Sequence, residues 1–321
     1  MRAFRLASSI LASLMFAGAA RAAEAPPAPG VRVIDLASGF LEAYERNAAT
    51  SAPAFVEDFK ASVAARFPEF YGIERYQGKR TQAERDKQIA AAYEAFPALR
   101  EAYRKKVERF TRDLPLYTAS FQKAFPDYRP KGDLYFVHSL GEMDGGTRTI
   151  KGRTYFIFGA DMMTRIHGDG DEAGFFHHEL FHDYHSTGCA EERVWTSLWQ
   201  EGLATYVSRT MNPSASNAEL LLDFPRNLVS DTERQLDRAF EHLAANLESK
   251  DEAVYAGLFM GKGDDTGLPA RRGYYLGYLV AREAGKTRDL QALAKLQCAD
   301  VRTVVYEAVE RLRAKPVVAS H

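Results

Sequence analysis

Apolar residues recur at the spacing of amphipathic helices through most of the chain. In the front part, residues 33–125, this spacing runs from Leu41 to Phe67 and again from Ala90 to Phe110. Further segments with the same helical character are 172–186, 191–209, 230–248, 273–284 and 299–314. The pattern predicts a helical front half and a second helical region after Asp171.

The stretch between these helical regions, Asp133–Phe158, has a different pattern. Aromatic and β-branched runs at 134–137 and 154–158 are typical of strands, and the glycines between them indicate turns. We expect two or three short antiparallel strands here, so the predicted fold is α+β and dominated by helix. Three regions are expected after an N-terminal leader: a helical one at 23–132, one with the strands at 133–210 and a second helical one at 211–321.

The composition is that of a globular protein. Of the 321 residues, 46% are hydrophobic and 26% are charged, which excludes a disordered chain and a small disulfide scaffold. The 42 basic and 43 acidic residues give a formal net charge of −1. Because nucleic-acid binding usually requires a strong basic excess or a dense basic stripe, a nucleic-acid partner is not expected.

The first 22 residues have the pattern of a secretory signal peptide. Arg2 and Arg5 precede an apolar stretch from Leu6 to Ala20, and an A-R-A sequence ends at Ala22. A membrane anchor is the alternative, but the apolar stretch is shorter than the about 20 residues that a span requires. Cleavage after Ala22 removes residues 1–22, with three arginines and no acid, which leaves 39 basic and 43 acidic residues. The mature protein is expected to be exported, periplasmic or secreted, and not membrane-spanning.

The chain has two cysteines, Cys189 and Cys298. An exported compartment permits a disulfide between them, and two buried free thiols are the alternative. Cysteines this far apart, without a C-x-x-C motif, do not predict a structural zinc site.

The strongest chemical motif is H-E-x-x-H at residues 178–182. His178 and His182 lie four residues apart, which on an α-helix is about 6 Å along one face. Both imidazoles can therefore reach one zinc ion at about 2.0–2.1 Å. Glu179 is rotated about 100° from His178, which suits it to hold a water molecule beside the metal.

A hydrolytic zinc site needs a third protein ligand and an open fourth position. Glu201 follows His182 after 18 intervening residues, and an antiparallel helix could bring its carboxylate back over the histidines. The rival third ligand is His185, which lies seven residues beyond His178 on the same predicted helix, about 10.5 Å along its axis. One ion does not readily bind three residues spread over that length, so Glu201 is favoured.

The H-E-x-x-H motif followed by Trp199-x-Glu201-Gly202-Leu203-Ala204-x-Tyr206 resembles the gluzincins. These are zinc peptidases such as the M1-type aminopeptidases and bacterial predicted zinc-dependent proteases. The resemblance implies a zincin-like catalytic core with a small antiparallel sheet and a zinc-binding helix. It implies zinc as cofactor, His178, His182 and Glu201 as ligands, and Glu179 as general base and acid.

A second segment, Gly273–Tyr278, looks like the part of the aminopeptidases that supplies an oxyanion-stabilising tyrosine. By this resemblance Tyr274 has that role. Tyr275 is the alternative, since neighbouring helical residues point about 100° apart and only one can face the metal. Gly277, one turn after Tyr274, leaves space for a close approach of backbone or substrate and favours Tyr274.

The chain departs from the aminopeptidases in the segment that binds a free amino terminus. Their G-x-M-E-N sequence has only a loose counterpart at 141–145, here expected in a turn. The N-terminal region also lacks their β-rich pattern. The resemblance therefore implies the catalytic centre of these enzymes for this chain, but not their exopeptidase specificity.

The predicted function is an exported zinc-dependent hydrolase that cleaves a peptide or protein substrate. The alternative is a catalytically silent zincin scaffold that binds a peptide or a partner protein, and a non-peptide amide substrate is a third possibility. Arg271 and Arg272 precede Tyr274, and one of them could bind a substrate carboxylate. Ordinary surface arginines are the alternative, and they are commoner.

Overall fold

The computed structural model describes residues 31–186, 188–190 and 192–314. The predicted signal peptide at 1–22 lies outside the described residues. The strands are β1 Val33–Asp35, β2 Leu134–Val137, β3 Gly145–Ile150 and β4 Arg153–Gly159. The helices of the first part are α1 Ala37–Arg46, α2 Ala52–Ser62, α3 Pro68–Tyr71, α4 Gln82–Ala95, α5 Arg100–Ala124 and α6 Ala160–His167. Those that follow are α7 Ala173–Tyr184, α8 Val194–Met211, α9 Leu228–Glu233, α10 Leu236–Asn246, α11 Glu252–Phe259, α12 Arg272–Ala284, α13 Leu290–Ala294 and α14 Cys298–Arg313.

The fold is α+β and dominated by helix, as predicted. The sheet, however, is mixed and four-stranded, in the order β1-β2-β4-β3, so the prediction of an antiparallel sheet was wrong. Only β3 and β4 pair antiparallel, whereas β1 with β2 and β2 with β4 are parallel.

The sheet order follows from the exposure of the strands. Residues 155–159 of β4 are all buried, which suits a central strand, whereas residues 147–149 of β3 are exposed, which suits an edge strand. The β3–β4 hairpin therefore inserts β4 beside β2. The short β1 lies in the region predicted to be helical and extends the sheet at its other edge.

The helices predicted after residue 171 are present, and one of them is divided into two. The expected helix over 230–248 is two helices, α9 and α10, because Gln235 between them has a non-helical backbone. The helix α6 follows directly from β4 and was not predicted. Among the described residues, no helix is both long enough and apolar enough to cross a membrane.

The helices α7 and α8 pack antiparallel at the centre of the molecule. Ser208, near the end of α8, donates a hydrogen bond to the carbonyl of Gly174 at the start of α7 at 2.7 Å. The residues of α8 that lie earlier in the chain consequently face the later turns of α7. This arrangement places Glu201 opposite the two histidines of the motif.

The helix α12 packs against α8 through two glycines. A Cβ atom at Gly202 would lie 2.2 Å from the carbonyl carbon of Gly277, and one at Gly277 would lie 2.6 Å from the Leu198 oxygen. No side chain fits between the two helices at this point. The close approach of backbone expected beside Gly277 is thus to α8, and it brings the first turn of α12 to the same cleft as Glu201.

A disulfide joins Cys189 to Cys298, with the two Cα atoms 5.1 Å apart. Of the two possibilities that the sequence left open, the structure has the bonded one. The bond connects the segment between α7 and α8 to the start of α14.

Candidate metal centre

Three side chains from two helices converge on one point. The Nε2 atoms of His178 and His182 lie 3.0 Å apart, and they lie 3.2 and 3.3 Å from Oε2 of Glu201. For ligands at about 2.0–2.1 Å from a tetrahedral zinc, neighbouring donor atoms are about 3.3 Å apart. The three donor atoms therefore fit three corners of such a site, and among the described residues this is the cluster able to hold a metal ion.

The charges of the three groups are coupled. Burial opposes a charge on the His182 ring, but the adjacent Glu201 carboxylate outweighs it and raises the pKa of His182 to about 9. Burial also opposes ionisation of Glu201, yet the charge of His182 and the hydrogen bonds with both histidines lower the pKa of its carboxyl well below its usual range. The Glu201 carboxylate and the protonated His182 ring thus stabilise each other, and a metal ion that binds here has to displace the imidazole proton.

Glu179 lies beside this cluster and faces the edge strand. A Cβ atom at Gly146 of β3 would be 3.1 Å from the Glu179 carboxylate, which is a tight contact, and Gly146 has a φ of +118°, a conformation that favours glycine. Burial raises the pKa of the Glu179 carboxyl, against the opposing charges of the two histidines. Its carboxylate lines the cleft beside the cluster.

The two neighbouring tyrosines have different surroundings. Tyr274 lines the cleft together with the histidines, and its ring centroid is 6.4 Å from that of His178. Tyr275 is 7% exposed and donates a hydrogen bond to Glu233 at 2.6 Å. Burial, followed by the charge of Glu201, raises the pKa of Tyr274 well above its usual value, so its phenol keeps its proton. Of the two tyrosines, Tyr274 is therefore the one that faces the cleft.

The other histidines of the motif region are buried and lie apart from the cluster. His185 ends α7 and stacks on Phe181, with ring centroids 4.9 Å apart. His177 contacts the Tyr117 carbonyl at 3.0 Å and Asn212 at 2.9 Å, so it connects α7 with α5 and the end of α8. Both rings lie in the interior, and the rival ligand His185 does not belong to the cluster of His178, His182 and Glu201.

The segment 144–146, at the end of the predicted turn, lies at the cleft, a position that was not predicted from the sequence. Asp144 and the two following glycines line it next to Glu179, because they lead into the edge strand β3. Asp144 is paired with His167 at 3.1 Å. The loose likeness of this segment to the G-x-M-E-N sequence was the signal that could have placed it at the site.

The two arginines before Tyr274 differ sharply. Arg272 is fully buried and its guanidinium binds Asp264 at 2.7 Å and the Gly257 carbonyl at 2.9 Å. Arg271 instead lines the cleft, with its guanidinium 4.3 Å from the Tyr274 ring centroid. The sequence alone could not separate them, because adjacent residues leave a helix terminus in different directions.

The cleft has a volume of about 290 Å³, and its lining includes His178, Glu179, His182, Glu201, Arg271 and Tyr274. Comparison with protein-family models, with curated proteins and with solved structures finds no match to this chain. A function is therefore inferred from the chemistry of the cleft itself.

Proposed function

We propose that this protein is an exported zinc-dependent peptidase with a catalytic centre of the gluzincin type in a zincin-like core. The observation that carries the proposal is the meeting of His178, His182 and Glu201 at tetrahedral spacing, with Glu179 and Tyr274 on the same cleft. A zinc ion bound there supplies a Lewis acid that polarises a carbonyl group and lowers the pKa of water.

The residues around the metal position have complementary roles in hydrolysis. Glu179 accepts a proton from the attacking water and passes it to the leaving amine. Burial raises the pKa of its carboxyl, which favours the uptake of a proton from water. Tyr274, which stays protonated, donates a hydrogen bond to the carbonyl oxygen as negative charge develops there.

The edge strand β3 supports a peptide as the substrate. It pairs only with β4 within the described sheet, and Thr147 and Arg148 on it line the cleft. An extended peptide can add to such an edge through main-chain hydrogen bonds. Its carbonyl groups would then pass the metal position, which favours a peptide over a smaller amide.

Two features support export. The N-terminal 22 residues have the pattern of a signal peptide, and the Cys189–Cys298 disulfide suits an oxidising compartment.

The test is a digest of a peptide library by the purified mature protein, read by mass spectrometry, with and without a chelator. We expect close to one zinc per chain and cleavage that is lost on chelation and restored by zinc. Glu179→Gln should keep the metal content and the melting temperature while turnover falls by about 10²–10⁴-fold. The matched control is Glu94→Gln, a surface carboxylate of α4, which should leave turnover unchanged.

A zinc-loaded wild type that cleaves no member of the library would contradict the peptidase. If the inactive wild type still binds peptides and the Glu179→Gln variant binds them equally well, the silent-scaffold function replaces the peptidase proposal.

A further inference from the structure

Arg271 is a cation at the candidate active site without an acidic partner. Among the described residues its guanidinium makes no ion pair, and its Nε atom is enclosed without a hydrogen-bond acceptor. Its neighbour Arg272, in contrast, is neutralised by Asp264. A guanidinium has five N–H donors, which in proteins usually bind carboxylate or phosphate groups.

Aromatic rings hold the Arg271 side chain in the cleft. The guanidinium lies 4.3 Å from the centroid of Tyr274 on one side and 5.3 Å from that of Phe224. Such contacts orient the planar group and leave its N–H edge available. Arg271 also has a φ of +61°, a left-handed conformation that costs a residue other than glycine on the order of 1 kcal/mol. Positions that keep such strain cluster at functional sites.

The charge of Arg271 is placed where the protein does not neutralise it. Arg271 is the N-cap residue of α12, whose first turn contains no acid, and the positive end of a helix disfavours a cation. Of the three acids that line the cleft, Glu201 contacts the two histidines and Asp144 contacts His167. Among the described residues none of the three, Glu179 included, forms an ion pair with Arg271. An anionic group of a bound ligand would neutralise the Arg271 guanidinium.

We propose that Arg271 binds a carboxylate of the peptide substrate and thereby selects peptides that carry one close to the cleaved bond. This proposal rests on the proposed peptidase function. Its guanidinium is separated from His178 by a single ring, that of Tyr274. Because an extended residue spans about 3.3–3.6 Å, the carboxylate belongs within about three residues of the bond, and it is either the chain's free C-terminus or an Asp or Glu side chain.

The experiment compares matched peptides that differ only in a carboxylate. One pair has a free or an amidated C-terminus, and a second pair has Asp or Asn near the cleaved bond. For the wild type we expect kcat/KM to be about 10–100-fold higher for the carboxylate member of one pair, mainly through KM. The pair that shows the preference identifies the source of the carboxylate.

Variants of Arg271 assign the preference to this residue. Arg271→Gln should remove the preference by lowering kcat/KM for the carboxylate peptide alone. Arg271→Lys should keep part of the preference, since the charge stays while the planar guanidinium is lost. The control Arg282→Gln changes another arginine of α12 that also stacks on a tyrosine, Tyr278, and should preserve it.

The proposal is overturned if the wild type shows no preference in either pair, or if Arg271→Gln weakens both members equally. Binding is measured in parallel by fluorescence anisotropy of the labelled peptides with zinc-loaded Glu179→Gln. If no peptide is cleaved but carboxylate peptides bind more tightly through Arg271, the peptidase proposal fails and the assignment of Arg271 stands.

Discussion

At the scale of single residues, Glu201 decides whether the histidine pair is a metal site. It lies on a different helix from the histidines and supplies the third donor atom. Glu201→Ala should lower the affinity for zinc by more than about tenfold, because two histidines alone leave the ion under-coordinated. His185→Ala should retain zinc, since that ring packs on Phe181. Metal analysis after dialysis measures both, and the opposite ranking would make His185 the ligand.

The adjacent tyrosines provide an internal comparison. Tyr274→Phe should lower kcat by about 10²–10³-fold, the usual cost of one lost oxyanion donor, with zinc content and KM nearly unchanged. Tyr275→Phe should keep kcat and lower the free energy of unfolding by about 1 kcal/mol, because it removes the hydrogen bond to Glu233. Steady-state kinetics and urea unfolding separate the two. A loss of kcat in Tyr275→Phe alone would reverse the assignment.

At the scale of elements, the glycine contact between α8 and α12 positions the site. Alanine in place of a helical glycine normally stabilises a helix by about 1 kcal/mol. Gly202→Ala should instead destabilise the protein by about 1–3 kcal/mol and reduce turnover, because the new methyl group pushes α12 and Tyr274 away from α8. Gly39→Ala in α1, where a Cβ atom meets side chains only at 3.6 Å and beyond, is the matched control and should stabilise.

Unfolding curves and kinetics of these two alanine variants measure the effect. Equal stabilisation by both would mean that the helices have room at the contact.

The elements also show which features can be predicted from sequence. The helices that carry the motif have a strong local period, and the four-residue spacing of His178 and His182 already defines one face of α7. The expectation that Glu201 lies opposite the histidines required only that the chain reverse direction between the helix of the motif and the next one. These features depend on nearby residues, so a single sequence is sufficient for them.

The features that were missed depend on contacts between distant parts of the chain. The strand β1 has three residues, and its pairing with β2 joins positions about a hundred residues apart. The order of the sheet reflects which strand is covered on both faces, and the exposure of Arg271 depends on Phe224 and the cleft around it. Local pattern contains no information on such pairings.

At the scale of the whole molecule, the disulfide constrains a large part of the chain. It connects residues 109 positions apart, so its removal should lower the free energy of unfolding by about 2–5 kcal/mol. Cys298→Ser and the double variant with Cys189→Ser should lose the same amount, measured by urea unfolding without reductant. Intact mass after alkylation of the unfolded, unreduced protein is the independent check, and two added alkyl groups would show that no bond exists.

The ring closed by this disulfide divides the candidate active site. Glu201, Arg271 and Tyr274 belong to the closed segment 189–298, whereas His178 and His182 precede it. A backbone cut in an exposed loop of the ring, such as the one at Gly261 and Lys262, leaves the two pieces covalently attached. The nicked protein therefore keeps every group of the site in one molecule, runs as one band on a non-reducing gel and separates only on reduction.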